Sequence, residues 1–459
     1  MNTYDICIVG GGSGGFGAAC AAARHGANVI LIEAGYGLGG TSTYAGVNNY
    51  EPVAGATGLP QELYEYLLPT PNAIALQKKV VKYSPERPWG KYECATETDY
   101  RLSLSRKTGT AITFEPELMD NAMQHFLKEA GCTLHLQTRF MDLQLNGNQI
   151  TSITVQDAQG THTIQATVFI DATANIYLAR AAGCQSAIGT ETPDTYDEPS
   201  APDKPEITLN NASLCYRIAP LKPGEEPNVP PIPIDIDLDK IRPVTSIRTY
   251  PNGDLNMNPL HTMTGLEAYE LGDRAYAVAH KRMQAHWHIL QTRYGFEFSP
   301  WKMTWTSPFL GIRETHRLVG QYVLREQDLM ATLANQSHDD IIAIADHAID
   351  FHGARPSSAL PGPYGIPFRC LLPKEIQNLL VACRGASFSS IGASSCRLSR
   401  TMMVLGQAAG TAAALFGKHV HNFNAKQLRK QLQKDGVVLD LETGYLDAMP
   451  HIQPIPDCS

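Results

Sequence analysis

Charge is scarce in this chain, and neither sign is massed. Only 18% of the 459 residues are Asp, Glu, Lys or Arg, and the net charge is −8 with no long basic run. That argues against a nucleic-acid groove or an anionic membrane surface as the main partner. No apolar run reaches the ~18 residues of a membrane-crossing helix. The first apolar run has no basic segment ahead of it and passes straight into glycines, so no secretion signal is expected. None of the ten cysteines forms a C-x-x-C pair, and several sit inside apolar runs, as reduced core thiols do. A reducing cytoplasm is the expected location. Internal repeats and low-complexity tails are also missing. With 43% apolar residues the composition is that of an ordinary globular enzyme, and the length suggests two intertwined or consecutive domains.

The first residues read as one β-turn-α-β unit. Tyr4 to Val9 suits a buried parallel strand, Phe16 to His25 a small-residue helix ended by Gly26, and Asn28 to Ile32 a second strand finishing at Glu33. Residues 35–110 read as loops over a binding site, with one helix around Leu63 to Leu68. Residues 115–131 have the apolar spacing of an amphipathic helix, and short strands follow up to Ile170, with a hairpin at Asn146-Gly147. Residues 190–240 are proline-rich and are not expected inside a sheet. One long helix is expected over 265–295, a small-residue helix over 396–416, and a short surface helix from Ala425 to Lys434.

The most specific local signal is Gly10-Gly11-Gly12-Ser13-Gly14-Gly15, which fits G-x-G-x-x-G at positions 10, 12 and 15. Gly10 permits the turn out of the strand, Gly12 lets backbone approach a diphosphate, and Gly15 lets the helix pack on the strand. The helix N-terminus presents free N–H groups and partial positive charge to the phosphates. Glu33, at the end of the next strand, is placed to accept from adenosine ribose hydroxyls. Two features favour FAD over NAD. A glycine and hydroxyl loop, Gly39-Gly40-Thr41-Ser42-Thr43, follows the second strand, and a matching segment near the C-terminus can form the flavin's other wall. A second G-x-G-x-x-G, as a separate nicotinamide domain would need, does not occur.

Four stretches make the chain resemble the bacterial FAD-dependent oxidoreductases of glutathione-reductase-like FAD fold, distantly similar to fumarate reductase flavoproteins. They are Tyr4 to Val47, Val168 to Thr173, Gly311 to Leu324, and Tyr364 to Gly410. The resemblance implies an α/β protein: a Rossmann-like FAD-binding domain with an inserted α+β substrate domain. Residues 1–50, 111–189 and 311–420 would form the first, residues 51–110 and 190–310 the substrate or cap domain, and 421–459 a C-terminal helix and tail. It also implies cofactor contacts from Gly10, Gly12, Ser13, Gly14 and Gly15, from Glu33 and Ala34, and from Gly40, Thr41 and Ser42. Phe140, Ala172 and Thr173 belong to the same set. The usual Ala-Thr-Gly-Asp turn is here Ala172-Thr173-Ala174-Asn175, and Ala382-Cys383-Arg384 puts Arg384 near the ribityl chain. Ser394 to Leu398 would open the last long helix, with Ser395, Arg397 and Leu398 at the flavin N1 and O2 edge, where a helix N-terminus stabilises negative charge.

For the chemistry, His352 in Asp350-Phe351-His352-Gly353 is the candidate proton carrier, because a substrate losing hydride must also lose a proton. The alternative is a structural histidine in a loop. Arg397 supplies fixed positive charge or holds an anionic or hydroxylated substrate, the alternative being a surface salt bridge. Arg313 and His316 are candidates for substrate contact, or else Arg313, Glu314 and Arg317 form a helix-surface ion network. Asn48 and Tyr50 follow the glycine and hydroxyl loop and are further candidates, the alternative being side-chain anchoring of that loop. Asn256, Asn258, His261 and Thr262 hint at a hydroxylated ligand. His286 and His288 point to different helix faces, so no metal is expected. Cys20 stands alone on the first helix, which argues against a disulfide-reductase pair.

The function expected is a flavin-dependent dehydrogenase or oxidase acting on a small polar molecule, with an electron acceptor of unspecified kind. The alternative is a non-redox flavoprotein: a lyase, hydratase or isomerase with structural or transiently cycling FAD.

Overall fold

The computed structural model describes residues 2–77, 81–85, 94, 96–106, 110–233, 235–352 and 357–441. Gly353, Cys458 and the tail from 442 onward lie outside them.

The main sheet is built from β1 (Asn2–Val9), β2 (Val29–Ile32), β3 (Thr133–His135), β4 (Arg139–Asn146), β5 (Gln149–Asp157), β6 (Gly160–Asp171) and β7 (Leu379–Val381). Its order is β3-β2-β1-β6-β5-β4, with β7 also paired to β6. The pairs β1–β2, β2–β3, β1–β6 and β6–β7 are parallel. The apolar runs of β1 and β2 are buried because helices cover this part of the sheet. The hairpin β4–β5 forms as expected, its turn at Gly147-Asn148 one residue beyond the expected Asn146-Gly147, and β5 pairs antiparallel to the first half of β6. What reads as two short strands, Thr163–Ile164 and Val168–Ile170, is one strand, β6.

Two helices face each other over the sheet: α1 (Ser13–Arg24) and α2 (Ser399–Phe416). Both are rich in Gly and Ala, which lets their backbones touch. A Cβ built on Gly406 would run into the Gly14 carbonyl oxygen, and one on Gly410 into that of Ala18. The contacts advance by four residues in both helices, so the two run parallel and their N-termini point the same way.

A second sheet is antiparallel, with strands 301–306, 216–220, 255–259, 245–249 and 81–83 side by side. Its own core includes Tyr216, Ile218, Met257, Met283 and Trp287. Tyr216–Pro220 is thus an interior strand, contrary to the expectation from proline content. Its only proline is the last residue, and the run from Pro223 lies beyond the sheet. The expected 265–295 helix is two, Gly265–Leu271 and Ala275–Arg293, separated by a turn at Gly272, whose φ is 54°. A separate three-stranded sheet pairs 49–50, 111–114 and 74–77. Among the described residues, no helix is long and apolar enough to cross a membrane.

Candidate active site

A cavity of about 1080 Å³ opens where the parallel strands end. Gly10 follows β1, Glu33 follows β2, Ala172 follows β6 and Cys383 follows β7, and all four line it. This is the edge at which α/β sheets hold ligands. The glycine loop divides the work. Gly10 has a φ of 103°, and a Cβ on Gly15 would strike the Gly10 carbonyl oxygen, so these two join strand to helix. Gly12 is different: a Cβ there would meet nothing within 4 Å. The first intrahelical bond of α1 runs from Phe16 N–H to Gly12 O, which leaves the amides of Ser13, Gly14 and Gly15 without an intrahelical acceptor. A bare helix end beside an open glycine fits the diphosphate of a dinucleotide.

Glu33 lines the cavity with both oxygens engaged. Oε2 accepts from Gly11 N–H at 2.5 Å and Oε1 from Gly35 N–H at 2.6 Å. Burial raises its pKa against the pull of those amides. Ala34, Gly40, Thr41, Phe140, Thr173 and Arg384 also line the cavity. Ser42 is fully buried beneath it.

The expected opening of the last helix is displaced. Ser395 belongs to a separate short helix, Ser390–Cys396, and its hydroxyl bonds Tyr364 Oη at 2.7 Å and the His347 carbonyl at 2.5 Å. Leu398 is extended, with ψ of 146°, and caps α2, which begins at Ser399. The amides of Ser399, Arg400 and Thr401 are therefore the free ones, since Met402 N–H makes the first bond back to Leu398. Arg397, Ser399 and Met402 reach the cavity.

A second cavity of about 530 Å³ adjoins the first and shares Thr41, Ile312, Arg384, Arg397 and Ser399 with it. Tyr50, Arg313, His352 and Leu398 line this second space. Asn48 does not: it is buried, with Nδ2 donating to the Phe114 carbonyl at 3.2 Å, so it anchors its loop. His316 lines neither cavity and meets Tyr269 Oη at 3.0 Å. Residues 312–316 are not helical, and the Glu314–Arg317 pair is buried rather than on a helix surface.

Arg397 is mostly rather than fully buried, 3.6 Å from Asp350, and not part of an exposed surface pair. His352 has a φ of 48° and stands 4.0 Å from Asp350 through Nδ1. Burial raises the Asp350 pKa, but Arg397 and neighbouring donors outweigh it and hold it below the usual value.

Sequence reasoning passed over His347. It lies in the same cavity, and its Nδ1 is 2.8 Å from the Ala348 carbonyl. A carbonyl only accepts, so Nδ1 carries the proton and Nε2 keeps the lone pair. Burial, helped by the charge of Arg106, pushes its pKa down to about 4. Glu51, Arg106, Arg248 and Arg400 were also missed. They come from distant segments, and only the tertiary fold gathers them. His286 meets Tyr216 Oη at 2.8 Å and His288 the Pro230 carbonyl at 2.9 Å.

Residues 5–434 match the family described as FAD dependent oxidoreductase. The chain belongs to that family. FAD is accordingly the cofactor of this FAD dependent oxidoreductase, and the bare helix ends and open Gly12 suit it. Over 43 residues the chain is 51% identical to vinyl phenol reductase of Lactiplantibacillus plantarum, a match that spans 9% of this chain and 9% of that protein. It is similar to the myxobacterial chondrochloren halogenase CndH at 11% identity and a TM-score of 0.48, over 95% of this chain and 79% of the other. Similarity to p-nitrophenol 4-monooxygenase PnpA of Pseudomonas putida has a TM-score of 0.44 at 10% identity, over 94% and 84%. The family match, rather than these likenesses, carries the assignment.

Proposed function

We propose that this chain is a dehydrogenase or oxidase that moves hydride between a small polar substrate and the flavin. When bound, FAD supplies an N5 atom that accepts or returns hydride. The single observation that supports this reading is the pair of adjoining cavities sharing Arg384 and Arg397, one beside bare helix ends and one lined by ionisable side chains.

On this reading Gly12, Ser13 and Gly14 hold the diphosphate, and Glu33 keeps the loop shaped while facing the adenosine ribose. Gly40, Thr41, Ala172 and Thr173 complete the first cavity, with Ala34 and Phe140 at its adenosine side. Ser399 at the head of α2 and Arg397 offset negative charge at the flavin's far edge. The substrate lies in the second cavity against Tyr50 and Arg313. A histidine moves the proton that accompanies hydride: His352, or His347 with its Nε2 lone pair. The fold is glutathione-reductase-like, with the substrate domain of residues 51–110 and 190–310 inserted into the cofactor domain. The scattered, largely buried cysteines accord with a cytoplasmic location.

Anaerobic mixing with candidate substrates tests the reading. Lasting loss of the oxidised flavin absorbance is expected. Product formed with the absorbance unchanged contradicts it and favours a lyase, hydratase or isomerase.

A further inference from the structure

Among the described residues, the second cavity is walled by six arginines, Arg106, Arg248, Arg313, Arg384, Arg397 and Arg400, against two carboxylates, Glu51 and Asp350. Glu51 is committed to Arg248, and Asp350 faces Arg397 at 3.6 Å. Asp346 lies behind the wall, held by the Ala54 amide at 3.1 Å, with Arg106 and Arg400 as charged neighbours. Glu314, which also acts on Arg384 and Arg397, is bound to Arg317 at 2.5 Å. Among the described residues, local acids therefore leave a surplus of positive charge.

Arg313 shows it most clearly. Its guanidinium donates to the Asn211 carbonyl at 2.7 Å, the Ser213 hydroxyl at 3.1 Å and Asn258 Oδ1 at 3.3 Å, all of them neutral. Burial, with the like charges of Arg397 and Arg384, brings its pKa down to about 10, so it stays cationic at neutral pH. The Nε atoms of Arg384 and Arg397 are buried without a hydrogen-bond partner among the described residues. Buried cations that repel one another are costly unless an anion joins them. The cofactor's diphosphate does not answer for Arg313, which lines the second cavity and not the first.

We propose that the second cavity binds its substrate as a small organic carboxylate, with Arg313 as the principal partner and Arg384 and Arg397 flanking it. This rests on reading that cavity as the substrate site. A guanidinium offers a carboxylate two parallel N–H donors, which a point charge cannot reproduce. Asn256 and Asn258 on the same wall supply neutral hydrogen bonds to the rest of the molecule.

Calorimetric titration of the FAD-loaded protein with benzoate and malonate, beside benzamide and malonamide, tests this. At least one acid is expected to bind, with its amide weaker by about tenfold or more. Arg313→Gln is expected to weaken the acid by about tenfold, Arg313→Lys to recover part of that, and Arg24→Gln, on the surface, to change nothing. Should Arg313→Gln fail to fold, the acid-against-amide comparison on the parent protein decides alone. Amides binding as well as acids, inorganic phosphate binding where neither acid does, or a folded Arg313→Gln binding acids unchanged would each overturn it. The functional reading fails separately: bleaching of the flavin by a neutral substrate alone upholds the redox assignment and sinks the carboxylate, whereas acid binding with product and no bleaching does the reverse.

Discussion

Gly14 and Gly406 are in backbone contact across α1 and α2, close enough that a Cβ on Gly406 would strike the Gly14 carbonyl oxygen. A Cβ on Gly14 would in turn strike the Ala382 carbonyl oxygen after β7, not Gly406. One contact therefore sets the spacing of both helix ends that open on the first cavity. Gly406→Ala is expected to lower stability by about 1–3 kcal/mol through overpacking, and to loosen FAD as the helices part. Thermal melting and flavin released on dilution measure the two effects. An unchanged melting temperature would show that the helices have room to spare.

Glu33 braces the loop, because its oxygens accept from Gly11 and Gly35 amides, and on the proposed reading it also faces the adenosine ribose. Glu33→Gln replaces one acceptor with a donor aimed at an N–H. The expected cost is about 1–3 kcal/mol in FAD affinity, read as an increase in Kd by fluorescence titration.

The histidine assignments separate by kinetics. If His347 moves the proton, His347→Gln lowers kcat by about 10²–10⁴ while FAD content stays at the parent level, and His352→Gln has a far smaller effect. The reverse ranking assigns the role to His352. With His347 at about 4, the acid limb of the rate profile lies well below that of a free histidine.

Two buried groups give stability slopes of opposite sign. His347 moves from 6.5 to about 4 on folding, so below 6.5 the unfolded chain takes up a proton that the folded one refuses, and acidification through that window destabilises. Glu198, which accepts from the Ser389 hydroxyl at 2.5 Å and the Glu326 amide at 2.8 Å, is pushed by burial from 4.5 to about 7. Between those values the folded chain keeps a proton that the unfolded one has lost, so raising the pH there destabilises. Glu198→Gln removes the second slope. Its stability relative to the parent is expected to rise by on the order of 1–3 kcal/mol between mildly acid and mildly alkaline buffer, as followed by denaturant melts.

The lining of the first cavity, proposed as the cofactor site, was legible because its determinants are local. A strand, a glycine loop, a helix and a following acid occupy the first 33 residues, and Gly10, Gly12, Ser13, Gly14 and Glu33 all line the cavity. Parallel apolar strands and the β4–β5 hairpin were readable for the same reason. Ser395 was misplaced because a helix break at Arg397 and Leu398 carries no proline or glycine signal. The interior strand Tyr216–Pro220 was hidden by prolines on both sides of it, although its only own proline is its last residue. The arginine wall was invisible for a different reason: Arg106, Arg248, Arg313 and Arg397 lie far apart in sequence, and no spacing rule joins them.

Gly12 offers the most direct test of the cofactor site. A Cβ there meets no protein atom within 4 Å, and its φ of −66° suits any residue, so Gly12→Val should fold as the parent does. Its methyl groups would occupy the space where the diphosphate is proposed to lie. FAD content after purification and reconstitution is the measurement. About one FAD per parent chain is predicted, with little or none on a Gly12→Val protein whose circular dichroism matches. Full FAD on the folded variant, or a parent protein that takes up no flavin, would contradict the account.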